Sequence, residues 1–453
     1  MAPPTLDTLP PEIFLSIRDQ LPHEDIKSLS VVNKKIHTQL VSHLFRYVRV
    51  NCPLSRDDGS GLSSVIDKYG TNVLGVCLYV VFHPNPPNSD LEGSKVDSNG
   101  EKEKWYWGNY PASVWARDAS DISIMHDLIQ FKRMPKCTSL GIRTDGEEEF
   151  EIDGGWDEND LSDISIYFCT EVESWERVKE KEKMYAWRKA WNELWRDVAT
   201  YSKAERLDLF HFLPIKASCW LEPEWAAFVG RLKELNVRAY GQDNGAGWAA
   251  NTLEGYNDFF NDMPEFLFQH ATNLEHLYIA GHGDGHLGDS ALRFEPDTMT
   301  QLKSLLLETM SITESLSVFL NGSTPNLESL RLENVGAWGH VGDTPTWADF
   351  WKAVREGNPS LKEVTFHYPK SVPLTVEEVM NGKDSVSKTD TEEEAQVRKK
   401  AQDDDSLIIW PYIISDDKYG NVFEMEEENR EALEKGDDNR EYRLLMEEIK
   451  KRQ

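Results

Sequence analysis

His282, Asp284 and His286 alternate with glycines in the run His282-Gly283-Asp284-Gly285-His286. Alternate residues of a glycine-rich loop can converge on one ion, and imidazole with carboxylate suits a first-row metal. The run matches no known ligand spacing, so a solvated loop and no metal are expected. Gly281-x-Gly283-x-Gly285 follows a strand-like stretch, but no helix starts at the offset a dinucleotide fingerprint requires. Glu147-Glu148-Glu149 and Asp403-Asp404-Asp405 set carboxylates side by side. Acid–base catalysis needs carboxylates held in a pocket with separated pKa values, and runs of like charge are ordinarily solvated faces. No G-x-S-x-G, H-E-x-x-H or phosphate-binding glycine loop occurs. No catalytic residue, cofactor or metal is therefore expected, and the chain reads as a non-enzyme.

Composition narrows the class further. The 453 residues suffice for two or three domains or one extended repeat array, and fifteen tryptophans point to a packed body. The net charge of −30 argues against nucleic acid or an anionic membrane as partner. It is unevenly spread. Residues 1–50 carry six Lys/Arg against five Asp/Glu, residues 371–453 carry 13 against 23, and the middle is net −21. So acidic a middle hints at a basic partner, or simply keeps a large surface soluble. The five cysteines, Cys52, Cys77, Cys137, Cys169 and Cys219, are scattered and odd in number, as for reduced thiols in cytosol or nucleus. MAPPTLDTLPPE has no apolar signal core, and no run of 18 apolar residues exists, so no membrane span is expected.

The elements that would position any site come from a recurring pattern, L-x-x-L-x-L. It stands at Leu232-Leu235-Val237, Leu274-Leu277-Ile279, Leu302-Leu305-Leu307, Leu327-Leu330-Leu332 and Leu361-Val364-Phe366. Weaker copies are Ala204-Leu207-Leu209, Cys137-Leu140-Ile142 and Val73-Val76-Leu78. The closing L-x-L alternates as a strand does, and helical stretches precede several copies, among them Phe259 to Leu267, Leu316 to Leu320 and Trp347 to Val354. Helix–turn–strand units of this kind bury their faces only by stacking, with parallel strands on one side and helices on the other. The pattern resembles the leucine-rich repeat family, in the irregular form seen behind fungal-type F-boxes. An unrelated α/β domain with chance strand patterning is the other reading.

Five segments interrupt or follow the repeats. Residues 83–104, rich in Pro, Asn, Ser and charge, read as a disordered insertion. Residues 171–201 read as one long helix with Met184, Trp187, Trp191, Trp195 and Val198 on a single face, which is core or a ligand platform. Residues 377–406 read as an acidic linker. Leu407 to Ile414 is apolar and β-rich; it is expected to dock near the last unit, or to serve as a partner-binding peptide. Residues 424–452 read as a final helix, acidic first and basic last, that could close the array.

The N-terminal 50 residues are different in kind. Ile13, Ile17 and Leu21 recur every four residues, Ile26 and Leu29 follow in a second short helix that starts near Pro22, and Ile36, Leu40 and Leu44 mark a third. Val48 and Val50 then alternate as in a strand. Such a unit is too small for a self-sufficient core. It resembles an F-box, carried by Leu9-Pro10-x-Glu12-Ile13, Ile17, Leu21, Asp25-Ile26, Leu29, and Val32 before Lys34 and Lys35; Ile36-His37 stands where many F-boxes place a tryptophan. A plain helical cap on a larger domain is the alternative.

The resemblance implies an α/β chain in which a three-helix F-box (1–50) precedes an irregular leucine-rich-repeat-like solenoid (51–370), with an acidic linker, docking segment and helix at 371–453. It implies the substrate-recognition subunit of a Skp–cullin–F-box ubiquitin ligase, in cytoplasm or nucleus. Leu9, Pro10, Ile13, Ile17, Leu21, Ile26, Leu29 and Val32 would contact the Skp adaptor, a cullin would join through it, and the array would hold a target protein. Some of these eight must instead hold the helices together. A non-ligase F-box scaffold, and less so an enzyme with a site in the array, are the rival readings.

Overall fold

A computed structural model describes residues 6, 9–55, 58–81, 92–96, 102–106, 113–145, 170–243, 246–288, 291–339, 344–374 and 407–453. Three short helices come first: α1 (Pro11–Arg18), α2 (His23–Ser30) and α3 (Lys34–Leu44). The chain then enters a mixed α/β body built on one eleven-stranded, mostly parallel sheet. Its strands are β1 (Tyr47–Cys52), β2 (Gly75–Val81), β5 (Ser139–Asp145), β6 (Arg206–Phe212), β7 (Glu234–Ala239), β8 (His276–Ala280), β9 (Ser304–Ile312), β10 (Ser329–Trp338), β11 (Glu363–His367), β12 (Tyr412–Ser415) and β13 (Val422–Glu424). From β1 to β11 each strand of the sheet pairs in parallel with the one before it in sequence.

Parallel neighbours require crossovers. These carry α4 (Asp58–Tyr69), α5 (Ala119–Ile129), α6 (Trp175–Met184), α7 (Ala186–Tyr201), α8 (Pro223–Val229), α9 (Glu254–Asn261), α10 (Met263–Phe266), α11 (Glu314–Leu320) and α12 (Trp347–Gly357). The L-x-L positions of successive copies lie opposite one another: Val48, Val76, Leu140, Leu207, Leu235, Leu277, Leu305, Leu330 and Val364 form one row across nine strands. Val50, Leu78, Ile142, Leu209, Val237, Ile279, Leu307 and Leu332 form the next, and both rows are buried. Because side chains alternate along a strand, a slip of one residue would turn a whole row outward, so the repeated leucines set the register. The residue ahead of each strand adds a second signal. Glu205, Lys233, Glu275, Lys303, Glu328 and Lys362 alternate in sign from unit to unit and pair at 2.6–3.0 Å as Glu205–Lys233, Glu275–Lys303 and Glu328–Lys362.

The core is thickest over β6 and β7. Trp191, Trp195, Trp220 and Trp225 meet Phe212, Phe259 and Phe266 in edge-to-face, tilted and stacked pairs with ring centres 4.7–6.2 Å apart. The Trp191 indole donates to the Ile215 carbonyl at 2.9 Å and the Trp225 indole to the Phe266 carbonyl at 2.6 Å. The tryptophan face of residues 171–201 is thus core, not a platform. The single long helix expected there is two, broken at the extended residue Tyr185, and Met184 at the end of α6 is exposed rather than packed. The insertion expected to be structureless contains an antiparallel pair, β3 (Glu92–Val96) and β4 (Lys102–Tyr106); its other residues lie outside those described. The acidic linker at 377–406 lies wholly outside them.

The C-terminal segment closes the far end. β9 and β10 both turn through a left-handed residue at matched levels, Thr309 (φ 53°) and Asn334 (φ 51°), and run on in register. That extension of β10 gives β12 its partners, Ala337 and Trp338, while β13 pairs antiparallel with β12. Trp410 inserts among Trp347, Trp351, Phe366 and Tyr442. The single final helix expected is two, α13 (Glu426–Lys435) and α14 (Asp437–Arg452), joined at Gly436, whose φ of 71° is the left-handed geometry glycine adopts without strain. α14 lies along α12 through Arg355–Glu441 (3.2 Å), and Arg452 donates to the Asn358 carbonyl at 2.8 Å. No described helix is long and apolar enough to cross a membrane.

Candidate functional site

The N-terminal helices form a cluster of their own. Phe14, Ile26, Ile36 and Leu40 are buried together, ringed by Leu6, Leu21, Leu29 and Leu44, and share no core residue with the sheet. Local sequence explains each start. α1 carries Pro11 in its first turn, where a missing N–H is harmless. Glu24 and Asp25 open α2, favoured by the helix dipole. Asn33 caps α3, its side-chain oxygen accepting from the Ile36 N–H at 2.9 Å. The join to the body is narrow: Phe45 stacks on Tyr69 of α4 with ring centres 3.8 Å apart, and Arg46 supplies its carbonyl to the Leu74 N–H at 2.8 Å.

The structure sorts the eight residues singled out from the sequence. Ile26 is core, and Leu21 and Leu29 pack against it, so these three hold the helices together. Leu9 and Ile17 are half-buried. Pro10, Ile13 and Val32 face solvent, Ile13 being 50% and Val32 64% exposed. The expected stripe of Ile13, Ile17 and Leu21 is corrected here: Phe14 faces inward and Ile13 outward. Two residues were missed, Leu15 (40% exposed) and Val31 (82%). Val31 and Val32 lie at the tight turn between α2 and α3. Ile13 and Leu15, two residues apart on α1, open about 200° from one another, while Val31 and Val32 adjoin at the turn, so this small unit leaves apolar side chains in water on more than one side.

The chemistry-bearing groups of the body are committed elsewhere. His282 Nδ1 lies 3.7 Å from Asp284 Oδ2, both exposed, on a loop held by the Gly285 N–H bond to the His282 carbonyl at 3.0 Å and by Tyr256 OH donating to the Gly285 carbonyl. His286 points away from them and is buried with Nε2 3.1 Å from Ser311 Oγ; burial pushes its pKa down to about 4. Ser311 is wholly buried, so this pair has no access to a substrate. Among the described residues no cluster of three His, Cys, Asp or Glu could hold a metal. Glu147–Glu149 and Asp403–Asp405 lie outside those residues.

Lys216 is buried between Asp258 (2.7 Å) and Asp262 (2.6 Å); burial favours losing its proton, but the two carboxylates outweigh this and hold it charged. Glu173 is likewise pushed up by burial, yet Arg188 and Lys181 bring its pKa below the usual carboxylate range. The recess beside them, about 10 Å³, admits one water. A groove of about 420 Å³ opens before β6 to β9, its walls lined by the paired charges of Glu205, Lys233, Glu275 and Lys303. No protein-family model matches the chain, and a search of curated proteins returns no match.

Proposed function

We propose that this chain is a substrate receptor of a Skp–cullin–F-box ubiquitin ligase, with an F-box in its N-terminal helices and a leucine-rich-repeat-like solenoid behind it. One observation carries the reading: a helical unit with a separate core, narrowly joined to a large stacked body, that leaves Ile13, Leu15, Val31 and Val32 exposed. Exposed apolar anchors of this type are what a partner surface buries at the centre of an interface. Units added in chain order, with leucine rows in register, support the solenoid half of the proposal.

In this reading the adaptor covers Pro10, Ile13 and Val32, together with Leu15 and Val31, while Ile26, Leu21 and Leu29 act from beneath by holding the helices. The receptor does no bond chemistry. It raises the concentration of a bound target beside the ubiquitin-charged enzyme. Co-purification of the full chain with Skp adaptor and cullin tests this: both are expected in one complex. Adaptor without cullin would favour the non-ligase scaffold, and capture of neither would remove the F-box assignment.

A further inference from the structure

The second face of the sheet has a chemistry that the net charge conceals. Residues between the buried leucines point away from the helices. Their outer row runs Tyr79, Arg143 and Phe210 in direct register, then Arg238 and the buried Ala280, while Tyr278 stands one level lower on β8, opposite Asn236 and diagonal to Arg238. Arg49 begins one level lower on β1, but its guanidinium lies 3.4 Å from the centre of the Tyr79 ring, and that of Arg143 lies 5.4 Å from the same ring. Arg238 sits between Phe210 and Tyr278, at 5.3 and 5.4 Å. Arginine and aromatic residues thus alternate across β1, β2, β5, β6, β7 and β8. Arg49 and Arg238 are exposed and make no ion pair with a carboxylate among the described residues. Asp208 on β6 lies on the same face at the level of Arg49, held by Arg206 and Asn236; beyond β8 the row itself turns acidic with Glu308 and Glu333, Glu308 accepting from Tyr278 OH and Glu333 held by Arg331.

We propose that this half of the face docks a short extended segment of a partner protein carrying a carboxylate at every third residue. The segment would be the recognition element of the target, and to that extent the inference rests on the receptor reading. The spacing follows from geometry. Strands of a sheet lie about 4.8 Å apart, so the backbones at Arg143 and Arg238, two strands apart, are about 9.6 Å apart, and the Arg49 and Arg143 guanidiniums, at 3.4 and 5.4 Å from one ring centre, are at most 8.8 Å apart. Arg49, Arg143 and Arg238 stand on the first, third and fifth strands of the order. A polyproline II segment rises about 3.1 Å per residue with three residues per turn, so every third side chain falls on one side about 9.3 Å from the last. Guanidinium takes carboxylate in a planar fork, and rings already holding its plane reduce the ordering on binding. The two residues between carboxylates turn about 120° to either side, away from the sheet, where proline keeps the segment extended. Nucleic acid offers the same anionic and stacking contacts, but a polyanion extending past β8 meets Glu308, Glu333 and a chain of net charge −30. A segment with three carboxylates ends where the cationic face ends.

Fluorescence anisotropy on the full chain tests this, using a labelled peptide with aspartate at every third position and proline and alanine between. A peptide of the same composition with aspartate at every second position and a single-stranded oligonucleotide serve as comparisons. The third-position peptide is expected to bind at least roughly tenfold tighter than its rearranged counterpart, and more weakly as salt rises. Arg49→Gln with Arg238→Gln is expected to weaken it by at least about tenfold, a loss of two charge-assisted contacts. Arg331→Gln, beyond the sign change, leaves binding unaltered. Both double and single variants keep the melting temperature of the parent, since all three side chains are exposed. Absence of peptide binding, equal affinity for the two spacings, an unaffected Arg49/Arg238 variant, or tighter binding of the oligonucleotide would each overturn the proposal. Adaptor capture is read separately on the same preparations. Capture without peptide binding sinks this inference alone, and peptide binding without capture sinks the receptor reading alone.

Discussion

The N-terminal helices and the sheet body solve the problem of burial in opposite ways. The body stacks unit on unit, so each unit's leucines are flanked by those of the next, and its far end is closed by α14 and the Trp410 segment. The helical unit has four fully buried apolar side chains and keeps others of similar size in water. Removing a buried apolar residue of the body should therefore damage folding, whereas removing an exposed one of the helices should damage recognition. The proposal of docking for one region and scaffold for the other rests on this difference more than on any motif.

The largest effect is expected in the body. Trp195→Ala, at the centre of the tryptophan cluster, should cost about 3–5 kcal/mol in urea unfolding. Adaptor affinity of the variant, measured while it is still folded, should not change. Equal losses of stability and adaptor binding would break the comparison.

A second contrast lies within the body. Burial holds His286 neutral, with a pKa near 4 against about 6.5 when unfolded, so its contribution to stability is complete above pH 6.5 and is lost as pH falls through 4. Asp438 is the reverse case. Burial between Ala348 and Tyr412 raises its pKa to about 6, so its contribution is complete below 3.8 and is lost as pH rises through 6. Each gap is worth roughly 3 kcal/mol, and the two oppose one another between pH 4 and 6. Unfolding across that range should show His286→Gln gaining stability relative to wild type as the medium is acidified, and Asp438→Asn losing it. Parallel curves for wild type and both variants would contradict the burial argument.

Smaller effects sharpen the first comparison. Ile13→Asp and Val32→Asp should each change unfolding free energy by no more than about 0.5 kcal/mol, since both side chains already face water. A much larger loss would mean that these residues pack in the folded chain. Lys362→Ala, which breaks its exposed pair with Glu328, should cost less than about 1 kcal/mol, with the difference fading as salt is added.

How far the sequence revealed this arrangement depended on periodicity. L-x-x-L-x-L located β2 and every strand of the sheet from β5 to β11 because alternation reports a buried strand face directly. Helix faces were less legible: spacing of four turns 40° past a full circle, so Ile13 and Ile17 stand 40° apart on α1, Leu21 lies beyond its end at Arg18, and Phe14 takes the inward position. The eight candidate adaptor residues could not be divided into core and surface, because both are apolar and only packing separates them. The arginine and aromatic row was present in the outward positions of the same repeats, but it emerges only once β1 and β2 are aligned with later units. The break at Tyr185 carried no glycine or proline to announce it, whereas Gly436 could have marked the end of α13.

The central claim is that the exposed apolar residues of the N-terminal helices are a docking surface. Calorimetric titration of Skp adaptor into the full chain, beside Ile13→Asp with Val32→Asp, tests it most directly. The account predicts binding by the parent, at least roughly a hundredfold loss in the variant, as for centrally placed anchors, and an unaltered melting temperature. Equal affinity for parent and variant, with both folded, would contradict it.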